Sequence, residues 1–155
     1  MADSSSLISP PGDLGPGDLP PLRMRESHRD AILAHCRNGL PYEACGLLFG
    51  KGETAEVVRP MRNAARSTTF YTLDPAEQLQ VMEEAQDAGL DMVGIFHSHP
   101  VTRPYPSRTD VDFAGFWEEC WFLIASFRHE AEPELCCYRI IGDTVVETGV
   151  ELTPG

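Results

Sequence analysis

The 155-residue chain contains a single lysine, Lys51, and its 12 basic residues face 24 acidic ones, a formal net charge of −12. Nucleic-acid affinity comes largely from neutralising phosphates with Lys and Arg, so this balance speaks against a nucleic-acid binder. The longest apolar run is the six residues Cys120–Ala125. A helix crossing a bilayer needs about 20, so no membrane partner is expected. No basic residue precedes Arg23 and no export-type apolar stretch stands before it, so a secretory signal is not expected either. The five cysteines (Cys36, Cys45, Cys120, Cys136 and Cys137) form no C-x-x-C pair. Their odd number, without a signal, predicts free thiols in a reducing cytoplasm rather than a disulfide framework or a thiolate zinc knuckle.

What remains is a chain of one domain's length with 42% apolar residues, enough for a core. Residues 1–21 differ in kind: fifteen of them are Ser, Pro, Gly or Asp. Such a stretch buries too little apolar surface to offset its chain entropy, and it is expected to be a flexible tail ahead of a domain over residues 22–151. Within that domain Ser27 is the expected N-cap of a helix ending near Gly39. Strands are expected at Ala44–Phe49, Glu56–Arg59 and Phe70–Leu73. Asp74-Pro75 with Glu77 predicts a capped second helix, with Leu79, Met82 and Ala85 as its apolar stripe and Gly89 as its end. Met92–Phe96 reads as a buried strand running into His97, and the three prolines of residues 100–106 as a loop. Ser107 is the expected N-cap of a third helix, with Val111, Ala114 and Trp117 on one face. Trp121–Phe127, Leu135–Ile141 and Thr144–Val150 complete the strands. Strands interleaved with three helices predict an α/β or α+β sandwich.

The chemistry concentrates in Gly94-Ile95-Phe96-His97-Ser98-His99-Pro100, followed by Ser107 and Asp110. Histidines at i and i+2 of an extended chain point to one face, so both can reach one ion. A stiff loop then returns the chain to a helix start, where Asp110 can add a carboxylate oxygen. Two imidazoles and a carboxylate leave a fourth tetrahedral position for water, as in catalytic rather than structural zinc. This ligand set suits zinc better than magnesium or calcium. Ser98 between them faces the other way and is expected to be structural.

Seven residues intervene between His99 and Ser107, and two more between Ser107 and Asp110. This His97-Ser98-His99-Pro100, Ser107, Asp110 pattern resembles the JAMM motif of the zinc-dependent MPN-domain peptidases. The upstream glutamate of that family is matched by Glu43 in Tyr42-Glu43-Ala44-Cys45-Gly46-Leu47-Leu48, and the resemblance spans residues 22–151. It implies a central mixed β-sheet flanked by helices, of cytidine-deaminase-like topology. It implies a zinc ion held by His97, His99 and Asp110, with Glu43 as general base and Ser107 as donor to the oxyanion. All five positions are present, which indicates the catalytic branch. The reaction implied is hydrolysis of an amide or isopeptide bond at the C-terminus of a ubiquitin-like β-grasp or sulfur-carrier protein. The compact length resembles stand-alone prokaryotic members, including the type that releases cysteine from a CysO-like carrier in cysteine biosynthesis.

The alternative is a deubiquitinase-like isopeptidase that removes ubiquitin-like modifiers from proteins, although the clamping insertions typical of eukaryotic deubiquitinating relatives find no room between Phe49 and Met92 or between Asp110 and Trp121. A metal-free MPN interaction module usually loses ligands that this chain keeps. A zinc deaminase needs His-x-Glu and Pro-Cys-x-x-Cys, and neither occurs. Cys45 shares the side of Glu43 but is expected to be a small buried residue rather than a ligand. His28, His35 and His129 lie outside the motif, and Cys136 and Cys137 face opposite sides of a strand. Arg103 and Tyr105, beside the ligands, are candidates for contacting the partner or the product's carboxylate.

Overall fold

The computed structural model describes residues 19–155. Of the expected tail, residues 1–18 lie outside the described residues. The Pro20 carbonyl just beyond them accepts a hydrogen bond from Trp121 Nε1 at 3.2 Å.

The described chain folds as β1 (Leu22–Arg25), α1 (Glu26–Gly39), β2 (Cys45–Lys51), β3 (Thr54–Met61), α2 (Pro75–Asp87) and β4 (Asp91–His99). There follow α3 (Arg108–Ala114), β5 (Trp121–Ser126), β6 (Glu134–Ile141), β7 (Thr144–Thr148) and β8 (Val150–Thr153). The strands form one mixed sheet in the order β7-β6-β5-β4-β2-β3-β1-β8. The β4–β5, β1–β3 and β1–β8 pairs are parallel and the rest antiparallel. Only Gly149 separates β7 from β8, which stand at opposite ends of that order, so the sheet must curl until its two edges approach.

Alternation along the strands divides the core in two. On one face Ile32 and Cys36 of α1 pack with Leu48, Phe96, Leu123 and Ala125. On the other, Val81 and Ala85 of α2 and Ala114 of α3 pack with Leu47, Ile95 and Phe122. Central strands β2, β4 and β5 are buried on both faces, as expected of strands covered by helices on each side. Gly46 of β2 has a specific steric role: a Cβ there would stand 2.2 Å from the Phe96 ring. The Phe96 ring therefore occupies the space a side chain at Gly46 would take, on the strand that follows Glu43.

Several expected elements shift, each for a physical reason. Helix α1 starts one residue before Ser27, because β1 pairs with β8 as far as Arg25↔Thr153 and hands the chain directly into the helix. Arg25 is the N-cap residue, and its N–H donates to His28 Nδ1 at 3.2 Å. Phe70–Leu73 is not a strand; a single bridge joins Leu73 to Asn63. The free side of β3 is taken by β1, and Phe70 and Thr72 use their backbone groups on the Asn63 side chain. Helix α2 does begin at Pro75, but Asp74 makes no capping bond and pairs instead with Arg62 at 3.5 Å. Glu77 likewise accepts from the Arg62 N–H rather than closing a capping box. The apolar stripe of α2 holds at Ala85, buried together with Val81, and at Met82, which packs half-buried against that core, while Leu79 is 60% exposed. The last expected strand divides at Gly149 into β7 and β8.

Candidate active site

His97 and His99 are the last odd-numbered positions of β4, on the face shared with Ile95 and therefore with α2 and α3. Asp110 reaches the same point from the first turn of α3. The Ser107 N–H donates to Asp110 Oδ2 at 2.8 Å, and the Asp110 N–H donates to Ser107 Oγ at 3.1 Å, a closed capping box. The cap that starts the helix thus also aims the carboxylate.

Three ligand-type atoms converge. His97 Nε2 and His99 Nε2 are 3.2 Å apart, and Asp110 Oδ2 lies 3.2 and 3.1 Å from them. All three residues are buried. His99 Nδ1 sits 2.9 Å from the Arg103 carbonyl, which can only accept, so Nδ1 carries the proton and neutral His99 presents a lone pair at Nε2. The His97 ring is stacked on Tyr71, 4.8 Å between centroids, and Tyr71 is in turn edge-on to Phe113.

Lone pairs gathered around one carboxylate oxygen repel unless positive charge lies among them. The protein's own electrostatics express that demand. Burial pushes Asp110 up, but the positive charge that His97 and His99 carry when protonated at Nε2, in the place an ion would take, and the Ser107 N–H outweigh it and hold the carboxyl well below the usual range. Burial likewise works against charge on His99, yet Asp110 and the Arg103 carbonyl raise its pKa. His97, His99 and Asp110 form a set that can hold a metal ion. Among the described residues it is the only such group of three or more.

Glu43 stands immediately before β2 and is 4% exposed. Its N–H donates to the Ser67 carbonyl at 2.9 Å, and its carbonyl accepts from Asn63 Nδ2 at 2.9 Å. Ser98 fixes the next residue: its Oγ accepts the Ala44 N–H at 2.9 Å, and its N–H donates to the Ala44 carbonyl. The structural reading of Ser98 therefore has a specific content, because it locks the glutamate's strand to the histidines' strand. Glu43 Oε1 is buried with no hydrogen-bond partner among the described residues. Burial pushes its pKa up to about 7, His97 and His99 draw it down and Asp110 adds to the rise. Glu43, His99 and Ser107 line one cavity of about 160 Å³ with Thr68, Thr69 and Thr102.

Cys45 is opposite His97 in the ladder, but its thiol turns to the Met61 carbonyl at 4.0 Å and is not part of the ligand group. His35 Nε2 donates to the carbonyls of Cys45 and Met61, tying α1 to the sheet. Arg103 lies over the Tyr105 ring, which meets Tyr138 edge-on. It is the Arg103 carbonyl, not its guanidinium, that touches a site residue.

Two contributors escape the sequence pattern. Tyr71 is one, since nothing in residues 62–73 reveals which side chain returns to the histidines. Asn63 is the other, although an Asn just after a strand is a turn signal. Its Nδ2 donates to the carbonyls of Glu43, Phe70 and Ser67, and its Oδ1 accepts from the N–H groups of Ala65 and Thr72. Asn63→Ala strands several of these buried groups. A loss of about 2–3 kcal/mol in denaturant-measured stability is expected, where a change below about 0.5 kcal/mol would show that the loop does not depend on it.

The chain matches the family described as prokaryotic homologs of the JAB domain over residues 25–146. It is 41% identical over 133 residues to the CysO-cysteine peptidase of Mycobacterium tuberculosis, covering 84% of this chain and 90% of that protein. It is 39% identical over 112 residues to the desampylase of Haloferax volcanii, covering 68% and 80%. A solution structure of a protein from Desulfitobacterium hafniense superposes with a TM-score of 0.77 at 34% identity, covering 86% of this chain and 93% of that one. The paired strand-end histidines, the capping aspartate and the fold that brings them together thus belong to a chain of the prokaryotic JAB-domain family.

Proposed function

We propose that this chain is a zinc-dependent hydrolase of amide or isopeptide bonds, acting where the C-terminus of a ubiquitin-like or sulfur-carrier protein is joined to an amine. The observation that carries the reading is the meeting of three converging ligand atoms with a buried, unpartnered carboxylate oxygen on Glu43. The names of the relatives add the substrate class: one is a peptidase of a carrier–cysteine conjugate, the other a desampylase.

His97 Nε2, His99 Nε2 and Asp110 Oδ2 would hold the ion. Their spacing of 3.1–3.2 Å is close to the roughly 3.3 Å between ligand atoms of a tetrahedral site with bonds of about 2.0–2.1 Å. Bound zinc would supply a Lewis acid and lower the pKa of its water to about 7. Glu43 takes the proton from the attacking water and returns it to the leaving nitrogen, which departs as an amine while the acyl carbon becomes a carboxylic acid. Ser107 Oγ accepts the Asp110 N–H, which leaves its own O–H free to donate to the oxygen that gains charge. Arg103 and Ser107 act through their backbones, fixing the His99 tautomer and the Asp110 orientation. Tyr71 holds the plane of His97.

The described cysteines are all free thiols, and among the described residues no helix is long and apolar enough to cross a membrane. We place the enzyme in a reducing cytoplasm on the first of these.

The reading is tested by incubating the zinc-loaded protein with a ubiquitin-like carrier conjugated through its C-terminal glycine, and following products by mass spectrometry. Expected is release of the intact carrier with a free C-terminus, abolished by chelator and restored by added zinc. Cleavage that survives complete metal removal would overturn it.

A further inference from the structure

We infer that residues 101–105 form a preformed docking platform for the folded body of the carrier protein, on which Arg103 takes a carboxylate of that partner. The inference rests on the hydrolase reading above and adds to it an interaction surface and a residue that sets affinity for the carrier.

This loop is held from beneath. Three successive carbonyls are each taken by a buried side chain of a different strand. Ser126 Oγ of β5 donates to the Thr102 carbonyl. His99 Nδ1 of β4 donates to the Arg103 carbonyl at 2.9 Å, and the Tyr138 hydroxyl of β6 to the Pro104 carbonyl. Pro104 and Pro106 are buried, and each ring fixes its own φ. The side chains between these anchors turn outward: Val101 is 79% and Tyr105 40% exposed, and Arg103 is exposed as well.

From the sheet an aromatic stack rises to solvent. Tyr105 meets the Tyr138 ring edge-on with 5.6 Å between centroids, and the Arg103 guanidinium lies 4.5 Å over the Tyr105 ring. In a chain with 24 acidic residues, Arg103 is paired with no carboxylate among the described residues. A guanidinium on an aromatic face keeps the N–H groups in its plane available, and their fork matches a carboxylate.

Position selects the occupant. The cavity that holds Glu43, His99 and Ser107 is walled by Pro100, Val101 and Thr102, while Arg103 and Tyr105 lie outside its lining. The scissile bond and the extended chain leading to it fill that cavity, so Arg103 and Tyr105 meet the part of the substrate beyond it. On the hydrolase reading that part is the carrier's folded body, the half that every substrate shares, whereas the amine varies. Tyr and Arg are the residue types that dominate binding energy at interfaces, and side chains fixed beforehand lose little freedom on docking. The complementary patch on the carrier is apolar against Val101 and Tyr105, with one Asp or Glu in reach of Arg103.

The test compares two substrates that bear the same fluorogenic amine on the same C-terminal glycine. One is the carrier whose conjugate the zinc-loaded protein cleaves, and the other is a short peptide of that carrier's C-terminal sequence. The readout is the ratio of kcat/KM, carrier over peptide, in which any effect reaching the site through the Arg103 backbone cancels. Arg103→Ala is expected to lower the ratio about 10-fold or more through KM on the carrier, and Arg103→Glu further. Arg103→Lys should keep part of it. One Asp→Arg or Glu→Arg change on the carrier should restore the ratio lost in Arg103→Glu. A parent ratio near one, a ratio unchanged in Arg103→Ala, or no carrier change that rescues Arg103→Glu overturns the proposal. Failure of the hydrolase reading shows separately, as no cleavage of either substrate. In that event, or should the variants not fold, NMR titration of the zinc-loaded parent with a ubiquitin-like protein ending in free Gly-Gly decides. Shifts at the Arg103 guanidinium and at Tyr105 support the platform, and shifts elsewhere alone, or none, refute it.

Discussion

Replacing Glu43 with glutamine is expected to lower kcat by about 10²- to 10⁴-fold while metal content stays at the parent's level. Glutamine keeps the shape and burial of the side chain but cannot accept a proton. The proposed ligand set of His97, His99 and Asp110 is untouched, since Glu43 is not among the converging atoms. Stability should hold or rise slightly, because burial disfavours the charge that glutamine removes. Steady-state kinetics and elemental analysis of the same preparation check both halves. If zinc left together with activity, Glu43 would be a ligand or a prop for the site rather than its base.

The second large effect is at Asp110. Asp110→Ala removes a proposed ligand and also the acceptor for the Ser107 N–H that opens α3. Two consequences are expected: zinc occupancy falls from near one per chain to a small fraction, and the cap loss costs about 1 kcal/mol of stability. Asp110→Asn separates them, keeping an oxygen for the cap but no negative charge for the ion. Binding to the native state alone stabilises by mass action, so chelator should lower the parent's Tm and leave that of Asp110→Ala unchanged. A variant that retained stoichiometric zinc and a chelator-sensitive Tm would remove Asp110 from the ligand set.

The parts of the site that follow a local rule were readable from the chain. His97 and His99 share a face because strand side chains alternate, and the same rule sends Ser98 to the Ala44 N–H. Ser107 and Asp110 form a capping box at its usual three-residue spacing. The buried runs at β2, β4 and β5 were legible as apolar segments. What stayed hidden depends on long-range pairing. Four residues at Leu22–Arg25 carry no strand signature by themselves and become β1 only between β3 and β8. That placement excludes Phe70–Leu73 from the sheet and frees it to coil around Asn63. The coil then delivers Tyr71 to His97 and Arg66 to the cavity beside Glu43. Neither placement follows from composition or periodicity, because the segment has no regular period and takes its shape from one side chain's hydrogen bonds. Leu79 illustrates the same limit on a helix: it is apolar and on a plausible stripe, yet the sheet meets α2 along Val81 and Ala85 instead.

The most direct test of the central claim is an anomalous difference map, recorded across the zinc absorption edge from crystals of the zinc-loaded protein. One strong peak per chain is expected, within bonding distance of His97 Nε2, His99 Nε2 and Asp110 Oδ2, with Glu43 close by but not coordinated. A fully loaded crystal with its zinc elsewhere, or with Glu43 in place of one of those three atoms, would contradict it.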